Sequence, residues 1–121
     1  MQTLLYFAAG LVVALGVAHS VLGERYILIR LFRREDLPKL FGSSDFTTRT
    51  LRFAWHLTTI AWFGFAALLV RGAEGQLAGE TLRIIGGTFL LSGLVALIAS
   101  RGKHLAWVVM LCIGGIAWMV G

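Results

Sequence analysis

The chemistry open to this sequence rests on three histidines, His19, His56 and His104, and on a few polar residues close to them in the chain: Ser20, Glu24, Arg52 and Ser100. Neutral imidazole is a general base, a hydrogen-bond donor or acceptor, and the commonest nitrogen ligand for transition metals. Three imidazoles with the Glu24 carboxylate would satisfy zinc or iron, and two facing imidazoles would hold a haem, with Gly16 leaving room for the porphyrin. The same residues suit a polar pocket for a lipid headgroup, a quinone or another small amphiphile. They also suit a proton path, or plain hydrogen bonding within the protein. Spacing does not choose among these, because no two histidines stand in an HxxxH or HxxE pattern.

Missing motifs narrow the field. The chain has no glycine-rich phosphate loop, GxSxG elbow, HExxH pair or CxxC. Cys112 is the single cysteine, so there is neither an internal disulfide nor a thiolate metal pair, and it reads as a packing residue.

Whatever these residues do, apolar elements must position them. The 121 residues are 58% hydrophobic and 14% charged, against roughly 25% charged in ordinary soluble domains. The charges are also segregated. No Asp, Glu, Lys or Arg occurs within 2–23, 53–70, 84–100 or 104–121. Each run gives roughly 26 to 33 Å of helix at 1.5 Å per residue, which matches a hydrocarbon core of about 30 Å. The runs lack the alternation of a membrane strand, so helices are expected. The sequence therefore predicts an all-α integral membrane protein: a single up-down bundle of four transmembrane helices with spans at about 3–23, 52–70, 83–100 and 104–120.

Segment 24–51 is expected to lie in the headgroup plane. Arg25, Arg30, Arg33 and Arg34 alternate there with Tyr26, Ile27, Ile29, Leu31 and Phe32, as in a short amphipathic interfacial helix making lipid headgroup contacts. The Leu37-Pro38 step should end it, and Ser44 or Asp45 should cap the next helix.

Four spans put 24–52 and 101–103 on one side, and the termini with 71–83 on the other. The first side holds Arg25, Arg30, Arg33, Arg34, Lys39, Arg49, Arg52, Arg101 and Lys103; the second holds only Arg71 and Arg83. The positive-inside rule then places the first side in the cytoplasm and both termini in the periplasm of a multi-pass inner-membrane protein. The formal charge of +5 speaks of anionic lipids and not of nucleic acid, since the basic residues border helix ends.

This topology gathers all three histidines at one level near the cytoplasmic side, with Glu24 below His19 and Arg52 one turn from His56. Helical spacing puts Ala9, Val12, Gly16, His19 and Gly23 on one stripe, Arg52, His56, Thr59 and Phe63 on another, and Gly86, Gly93, Ala96 and Ser100 on a third. Small residues of this kind let helices approach closely. They also make a homo-oligomer, or a place in a larger membrane assembly, reasonable. Lys103-His104-Leu105 faintly echoes Arg52-x-x-x-His56-Leu57, as though two hairpins carried equivalent histidines.

Two functions follow as expectations. One is a non-enzymatic subunit or accessory protein whose histidine cluster is structural or binds a small ligand. The other is a haem- or metal-dependent redox or catalytic protein using His19, His56 and His104.

Overall fold

The computed structural model describes residues 1–121, and every element in it is helical. We number four helices: α1 Gln2–Leu31, α2 Asp45–Ala73, α3 Gly79–Ala99 and α4 Ala106–Val120. The first three are long and apolar enough to cross a membrane; α4 is equally apolar but has only 15 residues. Its length is therefore about 22 Å.

Close contacts fix the direction of each helix. Leu5 lies near Gly72 and Leu82, and Gly79 meets Gly121. Both chain ends and the α2–α3 turn thus share one end of the bundle. The opposite end carries the α1–α2 connector and the α3–α4 turn. This is the up-down order expected from the sequence.

α1 pairs mainly with α2 and α3 with α4; the two pairs join along α1 and α4, while α2 and α3 barely touch. The buried core lies in the half nearer the termini. It consists of Leu5, Ala8, Ala9 and Val12 from α1, Ala66, Leu69 and Ala73 from α2, Leu82, Ile85 and Phe89 from α3, and Met110, Ile113 and Ala117 from α4. Large apolar side chains elsewhere point outward: Ile60, Ile84, Ile98 and Met119 are 65 to 77% exposed. A water-soluble surface rarely carries contiguous apolar patches of this kind. A hydrocarbon solvent removes the difficulty. Cys112 is on this outward face and not in the packing, contrary to expectation.

The main correction concerns 24–51. The interfacial helix predicted there is not a separate element. The chain runs on from the first apolar stretch without a break, through a π-helical turn at Glu24–Leu28 and a last α turn at Ile29–Leu31. Nothing in 24–31 stops a helix: there is no proline or glycine, and the Ile29 amide bonds the Glu24 carbonyl. The helix ends seven residues short of Pro38, which sits in an open connector clasped by Arg34 on Asp36 at 2.8 and 2.6 Å. That hydrogen bond holds the Asp36 carboxyl below its ordinary range. α2 begins at Asp45 with Ser44 at its N-cap, as the sequence leads one to expect, although without a side-chain cap bond.

Two helix ends close through left-handed backbone, as does the connector at Phe41 and Gly42. Gly75, at φ 72°, lets the Gln76 amide close on the Arg71 carbonyl at the end of α2. Arg101 and Gly102, at φ 51° and 77°, end α3 with the Gly102 amide on Leu97. Such reversals satisfy the orphan carbonyls of a helix end.

Candidate functional site

α1 and α2 have 30 and 29 residues, whereas α3 and α4 have 21 and 15. The long pair therefore outruns the short pair at the connector end. Two features occupy the half of the bundle that this leaves without a core: a polar network between α1 and α2, and a cavity between the two helix pairs.

The network starts from residues four apart on α1. Ser20 and Glu24 stack on one helical face and both reach the His56 ring from α2. Ser20 Oγ lies 2.8 Å from His56 Nδ1, and His56 Nε2 lies 3.0 Å from Glu24 Oε2. A carboxylate only accepts, so Nε2 carries the hydrogen and donates to Glu24. Arg52, one turn before His56 on α2, adds a second clamp at 2.9 and 3.3 Å to the same carboxylate. Thr59, the only buried polar side chain, lies 2.6 Å from Ser20 Oγ and 3.2 Å from the Gly16 carbonyl; with the Ser20 hydrogen donated to His56 Nδ1, the single Thr59 hydrogen is shared between these two acceptors. Gly16 makes that approach possible, since a Cβ there would strike Phe63 and Thr59.

Thr59→Val keeps the shape but loses both contacts. It should lower stability by about 0.6 to 1.7 kcal/mol, the range of interhelical hydrogen bonds in membrane bundles. Denaturation by titrated detergent reads this; an unchanged midpoint would show that the hydroxyl contributes nothing.

His19 belongs to a different arrangement. Its Nε2–H donates 3.1 Å to the Trp55 carbonyl, while the Trp55 indole N–H donates 2.9 Å to the His19 carbonyl. The two rings stack at 4.6 Å with 4° between planes, and Trp62 meets His19 edge-on at 5.0 Å. This pairing turns Trp55 toward α1. With its hydrogen on Nε2, His19 leaves Nδ1 as an acceptor. Nδ1 has no partner in the protein, yet no occluded polar atom is unsatisfied, so it faces open space.

The His19 side chain borders a cavity of about 830 Å³ lined by 18 residues, 13 of them hydrophobic and none of them Asp, Glu, Lys or Arg. His19, Trp55 and Trp62 form one wall; Ser100, His104 and Met110 stand opposite. His104 does not open α4 as predicted. It precedes the helix, its Nδ1 accepting from the Ala106 amide at 3.3 Å and its own amide donating 3.2 Å to Ser100 Oγ. Its Nε2–H is left free to donate.

The structure thus divides the histidines. His56 has both nitrogens committed to Ser20 and Glu24; His19 and His104 face a common cavity. No three His, Cys, Asp or Glu side chains come close enough to share a metal ion, so the proposed three-histidine ligand set is not assembled. The echo between His56 and His104 also fails, one lying within a helix and the other in a turn. A proton path beyond the network finds no support from Thr88 and Ser92, whose hydroxyls bond carbonyls of their own helix at 2.8 and 2.7 Å. Arg25, Arg30 and Arg33 make no ion pair. Arg25 and Arg30 lie 5.5 and 5.8 Å from the Tyr26 ring.

The Ser20–His56 and His19–Trp55 contacts were beyond sequence reasoning, because both depend on helix rotation. The i, i+4 spacing of Ser20 and Glu24 was the available signal. No family model matches the chain, and no curated protein or solved structure is significantly similar to it.

Proposed function

We propose that the protein is a four-span inner-membrane bundle, an accessory or subunit protein, that takes up a small uncharged amphiphile between its helix pairs. The outward apolar surface and the three long apolar helices support the membrane setting. The nine-to-two partition of basic residues supports cytoplasmic placement of the connector end. α4 is shorter than the hydrocarbon core, and local thinning or snorkelling accommodates such a span at modest cost.

The observation that carries the ligand reading is the cavity. Its volume, about 830 Å³, falls in the range of small-molecule sites, roughly 300 to 1,000 Å³. Its lining is mostly apolar, and His19 and His104 are among its four polar side chains. His19 Nδ1 accepts a hydrogen bond and His104 Nε2–H donates one. Without a charged residue in the wall, a phosphate head gains nothing there, whereas a hydroxyl head can donate to His19 and accept from His104, a carbonyl head can accept from His104, and an apolar tail suits the rest of the lining.

A decyl-substituted quinone tests this, because quinones quench tryptophan and Trp55 and Trp62 line the cavity. Quenching of the purified protein should saturate. His104→Leu, which removes the Nε2–H donor available to a quinone carbonyl, should weaken binding about fivefold to tenfold, the worth of one neutral hydrogen bond near 1 kcal/mol. Ala99→Trp, which fills the cavity, should abolish saturation. Quenching that stays linear with quinone, and equal in all three proteins, would reduce the cavity to a lipid-filled gap.

Orientation has a separate test. A phosphatase fused after Gly121 should be active in the periplasm; activity of a cytoplasm-specific reporter at that site would invert the topology.

A further inference from the structure

The Ser20–His56–Glu24 network lines a second, separate depression of about 370 Å³, bounded by Ser20, Val21, Glu24, Arg25, Ile29 and His56. It shares no residue with the amphiphile cavity. A hydroxyl within 2.8 Å of an imidazole nitrogen, with the other nitrogen 3.0 Å from a carboxylate, is the relation of nucleophile, base and orienting acid. Such a set is recognised by geometry and roles and not by sequence order.

We propose that Ser20 is a nucleophile activated by His56 and positioned through Glu24, acting on the acyl carbonyl of an ester with an apolar chain.

Glu24 fixes the tautomer. By taking the Nε2 hydrogen it leaves the Nδ1 lone pair facing Ser20, as a general base requires. Arg52 bonds both Glu24 oxygens and so holds the carboxylate in place. Thr59, 2.6 Å from Ser20 Oγ, restrains the Ser20 rotamer. Backbone amides within a helix are consumed by the helix and cannot form an oxyanion hole. Arg25 is the one cation lining the depression, and it has no carboxylate partner. It is therefore the group available to the oxyanion.

A second feature marks the place. The π-helical turn begins at Glu24 itself, and single π turns within α-helices occur frequently at functional sites. Val21 and Ile29 flank the depression with apolar surface, which suits an acyl chain entering from lipid.

The step balances without a cofactor. Ser20 Oγ bonds the carbonyl carbon as its proton passes to His56 Nδ1. The carbon–alkoxy bond breaks, and that proton leaves with the alcohol. Water then attacks acyl-Ser20, gives a proton to His56, and releases the carboxylic acid as Ser20 regains its hydrogen.

The full chain in detergent micelles, treated with an alkyl fluorophosphonate and mapped by peptide mass spectrometry, tests the assignment. Label should appear on Ser20 and vanish in Ser20→Ala. His56→Ala should slow labelling about 100-fold or more, the contribution of a positioned general base. Glu24→Gln keeps an acceptor for His56 Nε2–H and should fold; it should slow labelling about tenfold or more, because an amide stabilises the imidazolium poorly. Cleavage of p-nitrophenyl octanoate should follow the same order, with Arg25→Ala lowering kcat more than it raises KM. Should His56→Ala not fold, Glu24→Gln and Ser20→Ala decide the matter. A helical, monodisperse wild type that takes no label at Ser20, or labels as fast when Glu24 or His56 is replaced, makes the network a purely structural clamp and overturns the proposal.

Discussion

Gly86→Val is expected to cost about 3 kcal/mol and to part α3 from α4, whereas Gly115→Val on the same helix pair should be tolerated. A Cβ on Gly86 would lie 2.6 Å from the Trp118 amide nitrogen and 2.9 Å from the Gly114 carbonyl oxygen. Gly114 is constrained reciprocally, 2.7 Å from the Leu90 nitrogen and 2.8 Å from the Gly86 oxygen. These neighbours are backbone. No rotamer change relieves the clash, so one whole helix must move. Overpacking a tight contact costs typically 1 to 3 kcal/mol, and the upper end applies where backbone opposes backbone. In a bilayer no hydrophobic force restores the pair, since close packing is itself what joins helices there.

Gly115 supplies the control. Nothing lies within 4 Å of its Cβ position. Alanine there should gain up to about 1 kcal/mol of helix propensity, and valine less. Unfolding in titrated detergent, followed by tryptophan emission, measures both. Equal midpoints for Gly86→Val and Gly115→Val would mean that the Gly86–Gly114 contact is not what joins the hairpin.

Much of this was legible before any coordinates. Four charge-free runs give four helices, and the stripes Ala9–Val12–Gly16–Gly23 and Gly86–Gly93 lie at the contacts because small side chains have little other reason to recur at helical spacing in apolar segments. The face Arg52–His56–Thr59–Phe63 meets α1 for the complementary reason: polar groups in an apolar helix need partners. Two things were not legible. The continuation of α1 to Leu31 was missed because alternating arginines and apolar residues suit an interfacial helix and a helix leaving the membrane equally well. The division of the histidines was missed because equal depth does not fix azimuth. His19 and His56 are at neighbouring levels, yet one ring turns toward the α3–α4 pair and the other toward Ser20 and Glu24. A turn of one residue moves a side chain about 100° around its helix at 3.6 residues per turn, and no pattern in an almost uniformly apolar chain reports that angle.

Gly23→Ala is expected to damage the cavity between the helix pairs while leaving the bundle folded. A Cβ on Gly23 would overlap the Trp55 indole at Nε1, Cε2 and Cζ2. That indole is not free to yield: its N–H holds the His19 carbonyl at 2.9 Å and its face lies against His19 at 4.6 Å. Displacing it forfeits the hydrogen bond, worth about 1 kcal/mol, and a stacked pair worth roughly 0.5 to 1.5 kcal/mol. The core residues are in the other half of the bundle, so global stability should fall by no more than about 2.5 kcal/mol, less than for Gly86→Val. Quinone affinity should fall about tenfold or more, because the stacked His19 and Trp55 rings form one wall of the cavity. A double-mutant cycle isolates the cause. With Trp55→Leu already present, Gly23→Ala should cost almost nothing further, giving a coupling energy of at least about 1 kcal/mol. Additive losses would mean that Gly23 is required for some contact other than the indole, and that the His19–Trp55 stack does not set the cavity wall.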